Sequence, residues 1–344
     1  MSNIENLQKE FKAGFNKLRN KVIYSGCFHE DNDCSERIIK AHSIQNNRIL
    51  NKLSCNGEVL YFQLGEITEN GIFELKKMGR KKATTFTGFC GHHDNELFKP
   101  IEEKEYIVGD VEQEFLFAYR AIAKEYHAKR TTKNIYEYIL KLVKEENEEE
   151  IRAYFPSIKR GSIQMLELMS NQLLIGTNDA LKSLEYYREA MKINLARNKY
   201  NKIETKTIAL DEEYGVAVSS NFCLEKDLDG NTINDISNMS AKISPLMVTI
   251  IPQSGKTYIL LSYFSRERER YRKFINQILT KQIDEQKSII SNIIVSYCEN
   301  IVIAPERWDK LKEEEQIKIL EYFNATTLEF NKDTVLNSDL NIFI

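Results

Sequence analysis

The residues best suited to chemistry in this 344-residue chain are concentrated near one end. Four of the five histidines (His29, His42, His92, His93) and four of the six cysteines (Cys27, Cys34, Cys55, Cys90) fall within the first 100 residues. Two short-loop pairs stand out, Cys27-x6-Cys34 and Cys90-x2-His93, each able to put two soft donors on one turn. A tetrahedral zinc ion needs two such pairs brought together, so Cys27, Cys34, Cys90 and His93 are the expected ligands of a structural Zn2+. His42 is an alternative to Cys34, since Cys34-x7-His42 is also reachable on one helix. Such an ion anchors a region whose own core is too small to fold. Cys55, Cys223 and Cys298 are expected as core thiols.

A second pattern, Arg120-x6-His127, spans two helical turns, so both side chains share one face. The pair resembles the Arg-x4–6-His pattern of HEPN ribonucleases, and that resemblance implies a histidine that moves the proton of a ribose 2′-hydroxyl and an arginine that stabilises the phosphorane charge, chemistry that needs no metal and suits RNA alone. The bland alternative is an ordinary helix face. Lys76, Lys77, Arg80, Lys81 and Lys82 form a basic cluster ahead of Cys90, fit for phosphate or simply for solvent. Arg266, Arg268, Arg270, Arg272 and Lys273, interrupted by Glu267 and Glu269, read as an ion-paired helix start that can also meet phosphate. Ser254-Gly255-Lys256-Thr257 is not a P-loop: Ile250 stands where the first glycine belongs, and a strand-like run follows.

The elements that must position these groups follow from periodicity. Ile4, Leu7, Phe11, Phe15, Leu18 and Val22 predict an amphipathic helix over 4–22, then a polar loop from Cys27 to Cys34. A second helix is expected from Ser35, carrying Ile38, Ile39, His42 and Leu50, then a strand over 57–64, a turn at Asn70-Gly71 and a short helix ending before Pro100. Helical patterns follow from Asp110, with a break near 130–132, and from Gly161 to Lys199, expected as an antiparallel pair. Lys206–Leu210 and Tyr214–Ser220 read as paired strands, Leu246–Pro252 and Thr257–Phe264 as a hairpin, and three helices close the chain. The fold class is α+β: a zinc-binding module over 1–109, a long helical pair over 110–200 and an α+β domain over 201–344 packed on it.

Composition excludes several classes. Five prolines and 14 glycines are too few for collagen-like or linker-rich chains and disfavour a turn-rich β-sandwich. Hydrophobic residues at 42% exclude global disorder. The net charge of −3 decides nothing about nucleic acid, but it hides a slightly basic first 100 residues on an acidic remainder. Residues 1–21 are charged throughout, without the apolar core of a signal peptide, and no apolar run reaches membrane-spanning length. The expectation is a cytoplasmic protein with reduced thiols and no membrane partner.

Ala41-His42-Ser43-Ile44 after a cysteine pair, followed by Phe89-Cys90-Gly91-His92-His93-Asp94, resembles the frame of the HNH or ββα-metal nucleases over roughly residues 24–100. The resemblance implies His42 as general base. Ala41 and Ser43 stand where that frame usually carries further metal or catalytic side chains. Arg120 and His127 resemble the Arg-x4–6-His pattern of HEPN ribonucleases. The whole layout, closing with Tyr297-Cys298-Glu299-Asn300 and Ala304-Pro305-Glu306-Arg307-Trp308, resembles the ring-activated zinc-finger ribonucleases of bacterial phage defence. That resemblance implies a ribonuclease acting on RNA, dormant until a ring-shaped phage protein nucleates its assembly into homo-oligomers, which then stops growth. The alternatives are an HNH-like metal-dependent DNA endonuclease and a non-catalytic, zinc-stapled sensor or scaffold.

Overall fold

The computed structural model describes residues 3–35, 37–68, 71–238, 240–327, 329, 332 and 339–344. The apolar repeat at the start forms helix α1 (Asn3–Val22), whose Leu18 is buried against Ile135, Ile139 and Leu142. The chain then runs irregularly to strand β1 (Ile38–His42). This corrects the expected helix from Ser35. The adjacent β-branched Ile38 and Ile39 suit a pleated strand, and a distant segment supplies the ladder, with Ile39 opposite Phe89 and His42 opposite Thr85. A helical turn over Asn46–Leu50 leads into α2 (Asn51–Leu53), then the hairpin of β2 (Glu58–Thr68) and β3 (Gly71–Gly79). Asn70 of the expected turn lies outside the described residues. Strand β4 (Thr85–Cys90) passes directly into α3 (Gly91–Glu102), which continues through Pro100 rather than stopping before it.

Helix α4 (Val111–Lys144) begins at Asp110, whose carboxylate accepts the backbone N–H groups of Glu112 and Gln113 at 3.1 Å. It has no break at 130–132. Thr131 there is buried, and its hydroxyl accepts the Tyr24 N–H, so a polar residue that reads as a helix end is a tether. The short α5 (Glu148–Tyr154) opens on Glu148, Glu149 and Glu150, and α6 (Arg160–Ala196) returns along α4. Ile163 meets Leu142 at one end of the pair, and Met191 packs with Phe115 and Tyr119 at the other, so the two helices are antiparallel as expected.

The remaining elements are β5 (Ile203–Leu210), β6 (Val216–Phe222), β7 (Leu246–Gln253), β8 (Lys256–Phe264), α7 (Arg268–Leu279), α8 (Ile283–Tyr297), β9 (Ile301–Ile303), α9 (Pro305–Trp308) and α10 (Glu313–Thr327). Strands β7 and β8 form the expected hairpin. Ser254 and Gly255 make its two-residue turn with φ of 52° and 79°, so the Gly-Lys-Thr run is a β-turn and not a phosphate loop. The expected pairing of β5 with β6 is corrected: β5 lies on β8, and β6 lies between β7 and β9. The loop between β5 and β6 is short, but both of β6's edges are taken by β7 and β9, and all of its residues are buried.

The sheet order is β3-β2-β9-β6-β7-β8-β5, with neighbours antiparallel. Alternate residues face opposite ways: Val216 and Val218 meet Phe274, Ile293 and Ile319 on the α7/α8/α10 side, while Ala217 faces Leu260 and Val302 on the other. Helix α4 covers that second face. Strand β2 pairs with β9, Leu60 opposite Ile303, so one sheet runs across the expected boundaries at 109 and 200. The fold is α+β, with the Cys/His cluster near the N-terminus. No helix among the described residues is long and apolar enough to cross a membrane.

Candidate metal centre

The structure brings Cys27, Cys34, Cys90 and His93 together, their ligand atoms all within 4.8 Å of one another. His93 Nδ1 lies 3.4, 3.5 and 3.3 Å from the sulfurs of Cys27, Cys34 and Cys90. Metal–sulfur bonds of about 2.3 Å and a metal–nitrogen bond of about 2.0–2.1 Å at tetrahedral angles give S···N separations of about 3.6 Å. The four groups can therefore hold one metal ion. His42, the alternative to Cys34, is placed elsewhere: β1 is a strand, and its His42 meets Thr84 rather than the thiols.

Three elements build the site. Cys90 ends β4 and is the N-cap of α3, and its sulfur accepts the N–H of His93 three residues on. A helix N-terminus favours negative charge, which is why Cys-x2-His at this junction suits a thiolate. The Cys27 side of the site is an extended segment bonded along β4: Gly26 N–H donates to Thr87 O and Phe28 N–H to Gly88 O. From the far side α6 clamps the loop, with Arg188 donating to the carbonyls of Phe28 at 2.5 Å and Cys27 at 3.3 Å, and Lys192 donating to that of Glu30 at 2.8 Å. Phe28, Phe89, Phe98 and Tyr119 form the apolar floor between module and α4.

The far nitrogen of His93 has its own partner. Nε2 lies 3.2 Å from an Asp31 oxygen, and the second Asp31 oxygen is 3.4 Å from His29 Nε2, while His29 Nδ1 meets the Tyr119 hydroxyl at 2.9 Å. A carboxylate behind a ligating imidazole fixes its tautomer and orientation. Burial keeps His93 below its ordinary pKa, hence neutral and able to ligate. Burial, with His93 alongside, lowers His29 to about 4. Burial pushes Cys27 up to about 12, and the Cys90 and Cys34 sulfurs add to it. At Cys90 burial also opposes ionisation, but hydrogen bonds from the His93 N–H and from Ser35 outweigh it and hold the thiol below its usual value. Three sulfurs this close ionise together only around a cation. Asp31 is the functional residue the sequence reading missed, although its place inside the Cys27–Cys34 loop pointed to it.

The chain matches no protein-family model, no curated protein and no solved structure. Its function is argued from its own side chains.

Arg120 and His127 do share a face of α4, and both are buried. Arg120 donates to Glu102 at 2.5 Å and stacks 4.0 Å over the Phe98 ring. His127 Nε2 lies 2.9 Å from the Tyr24 carbonyl and 3.0 Å from the Thr87 hydroxyl, and burial lowers its pKa to about 4. Neither stands at an open cleft as the HEPN arrangement needs. His42 is half-buried at the end of β1, its Nδ1 3.4 Å from the Thr84 hydroxyl. Thr84 is a buried β-branched residue at φ 61°, a strained left-handed conformation, and its carbonyl accepts both the N–H and the hydroxyl of Ser43. Burial lowers the His42 pKa, and the charges of Glu102, Arg120 and Arg80 all act on its ring. Ala41 is buried, so no carboxylate stands beside His42 at that position.

Cys298 is in the core, Cys223 is half-buried, and Cys55 sits in the turn before β2 rather than in a core cluster. His92 is exposed, its N–H bonded to the Ser35 hydroxyl. Arg266, Arg268, Arg270, Arg272 and Lys273 each pair with an acidic residue, so the alternating-charge stripe is an ion-pair lattice. The basic cluster leaves Lys77, Lys81 and Lys82 exposed, with Arg80 turned to the carbonyl and side chain of Asn46.

Proposed function

We propose that this chain is a ribonuclease whose N-terminal module is held by a structural Zn2+ and whose general base is His42. Zinc is the ion the donor set suits best: Cys27, Cys34, Cys90 and His93 would fill its four positions and leave none open for catalysis. The observation that carries the reading is His42 pressed against the strained Thr84, beside the Glu102–Arg120 ion pair and Arg80. A sparsely populated backbone conformation on a β-branched residue is a feature that gathers at functional sites.

In this reading neutral His42 takes the 2′-hydroxyl proton, and the 2′-oxygen attacks the adjacent phosphorus. The 5′-oxygen leaves, protonated by water, and the products are a 2′,3′-cyclic phosphate and a 5′-hydroxyl end. Arg80, with the exposed Lys81 and Lys82, carries the phosphate charge. Arg120 acts only through Glu102, as a positioning residue. The resemblance to ring-activated ribonucleases supports a cytoplasmic effector of phage defence, triggered by a phage protein.

The test is expression with and without a phage trigger, followed by end analysis of total RNA. Cyclic phosphate ends that appear with the trigger and disappear in His42→Ala are expected. Intact RNA in growth-arrested cells removes the ribonuclease reading. The burial of Arg120 and His127 favours one second reading, a non-catalytic zinc-stapled scaffold, which intact RNA under every trigger supports.

A further inference from the structure

Between α1, α4 and the α4-facing side of the sheet, polar side chains gather that the His42 site does not use. Alternation along β6 puts Ser219 and Asn221 on the same side as Ala217, toward α4. Cys223, two residues beyond Asn221, feels the charges of Glu125 and Lys129 on α4. Asn300, just before β9, ties this wall together: its Nδ2 donates to the Ser219 carbonyl at 2.7 Å, and its Oδ1 accepts the Tyr61 hydroxyl at 3.4 Å. Lys124, Glu125 and Lys129 stand opposite, partly open to solvent. Arg19 on α1 and Glu299 beside Asn300 are exposed, and the charges of both act on Tyr61 and on Lys124, so they flank the same space.

Several of these groups lack the partner their chemistry calls for. Glu125 and Lys129 satisfy each other at 3.4 Å. Lys124 Nζ meets the Thr85 carbonyl at 3.4 Å and stands 5.2 Å from the centre of the Phe86 ring. Among the described residues no carboxylate lies within ion-pair distance of Lys124 or Arg19, and no cation lies within that distance of Glu299. Burial and the Arg19 charge lower the Lys124 pKa to about 8, as expected of an enclosed ammonium without a counterion. Asn221 is 9% exposed, and its Oδ1 accepts no hydrogen bond, a demand that a folded chain rarely leaves unmet.

We propose that this cleft binds a nucleotide, its phosphate between Arg19 and Lys124 and its ribose hydroxyls or base N–H groups donating to Glu299 and Asn221 Oδ1. The unmet groups define the ligand. Two cations without a carboxylate call for an anion. A carboxylate and an amide oxygen without donors call for O–H or N–H groups on the same molecule. A bare anion meets only the first demand and is repelled by Glu299. A nucleotide meets both, whether it comes free or as one unit of an RNA strand. The proposal uses no residue of the His42 site, so it stands whether or not the chain cleaves RNA.

The experiment is calorimetric titration of the zinc-loaded full chain with AMP, GMP, CMP and UMP, with inorganic phosphate and adenosine for comparison. A parallel titration uses a short single-stranded RNA on the His42→Ala protein, so that cleavage does not intervene. A nucleotide or the RNA should bind, with inorganic phosphate and adenosine each about tenfold weaker or more. Arg19→Gln and Lys124→Met should each weaken that binding about tenfold or more. Glu299→Gln should weaken the nucleotide and strengthen inorganic phosphate. Arg19 and Glu299 are exposed, so unchanged circular dichroism and metal content will show that these two variants are folded. Binding of a mononucleotide assigns the free ligand, and binding of the RNA alone assigns the strand. No binding of any of them at millimolar concentration overturns the proposal. So does binding indifferent to Arg19→Gln and Lys124→Met, or inorganic phosphate bound as tightly as the nucleotide.

Discussion

His127 allows its structural role to be measured through pH. Its ring is buried, with Nε2 at hydrogen-bond distance from the Tyr24 carbonyl, and its pKa falls from 6.5 to about 4 through burial and the neighbouring Lys124. The folded state therefore keeps His127 neutral where the unfolded chain binds a proton. Stability from this residue is complete above pH 6.5 and is lost as pH falls from 6.5 toward 4. A shift of about 2.5 units corresponds to about 3 kcal/mol, of which about 2 kcal/mol is lost by pH 5. His127→Gln keeps an N–H for the Tyr24 carbonyl but does not titrate. Urea unfolding of both proteins at pH 8 and pH 5 gives the comparison. Protonation of His29 and of the thiols, and any metal release, are common to both and cancel. The wild type should lose about 2 kcal/mol more than His127→Gln over that interval. Equal losses would refute the placement of a neutral, buried imidazole.

Two further predictions concern the metal. Cys90→Ala removes both a ligand and the N-cap of α3, so bound metal should fall to a small fraction of one equivalent and the N-terminal module should lose its protection from proteolysis, because sites of this kind fold with their ion. Stoichiometric metal retained in that variant would mean a different ligand set. Asp31→Asn leaves the four ligands in place but weakens the acceptor behind His93 Nε2, and competition with a chelator should show a 10- to 100-fold loss of metal affinity. Unchanged affinity would show that Asp31 does not orient the imidazole.

The metal centre was legible because its signal is local. Cys27 with Cys34, and Cys90 with His93, each sit on one short segment, and few residue types do what thiols and imidazoles do. Helices α1, α4 and α6 were legible for the same reason, since a 3.6-residue apolar repeat is written within each helix. What stayed hidden depends on partners far away in sequence. Ile38-Ile39 fits a helix or a strand until Phe89 arrives opposite Ile39. The pairing of β6 with β7 and β9, and of β5 with β8, joins segments far apart in sequence, and adjacency along the chain does not report it. The solvent exposure of Arg120 and His127 was equally invisible: two turns of spacing put them on one face, but the packing of Phe98, Glu102 and Tyr24 decides that this face is inward.

The pairing of β2 with β9 sets a timetable for synthesis. All four metal ligands leave the ribosome early, but β9, the strand that seats β2 in the sheet, follows roughly 240 residues after it, a delay of tens of seconds at about 5–20 residues per second. During that interval β2 has β3 on one side and an open edge on the other. A nascent chain thus presents all four candidate ligands long before it can close its sheet. Products truncated before β9 leave the edge of β2 bare, the kind of open edge that invites aggregation.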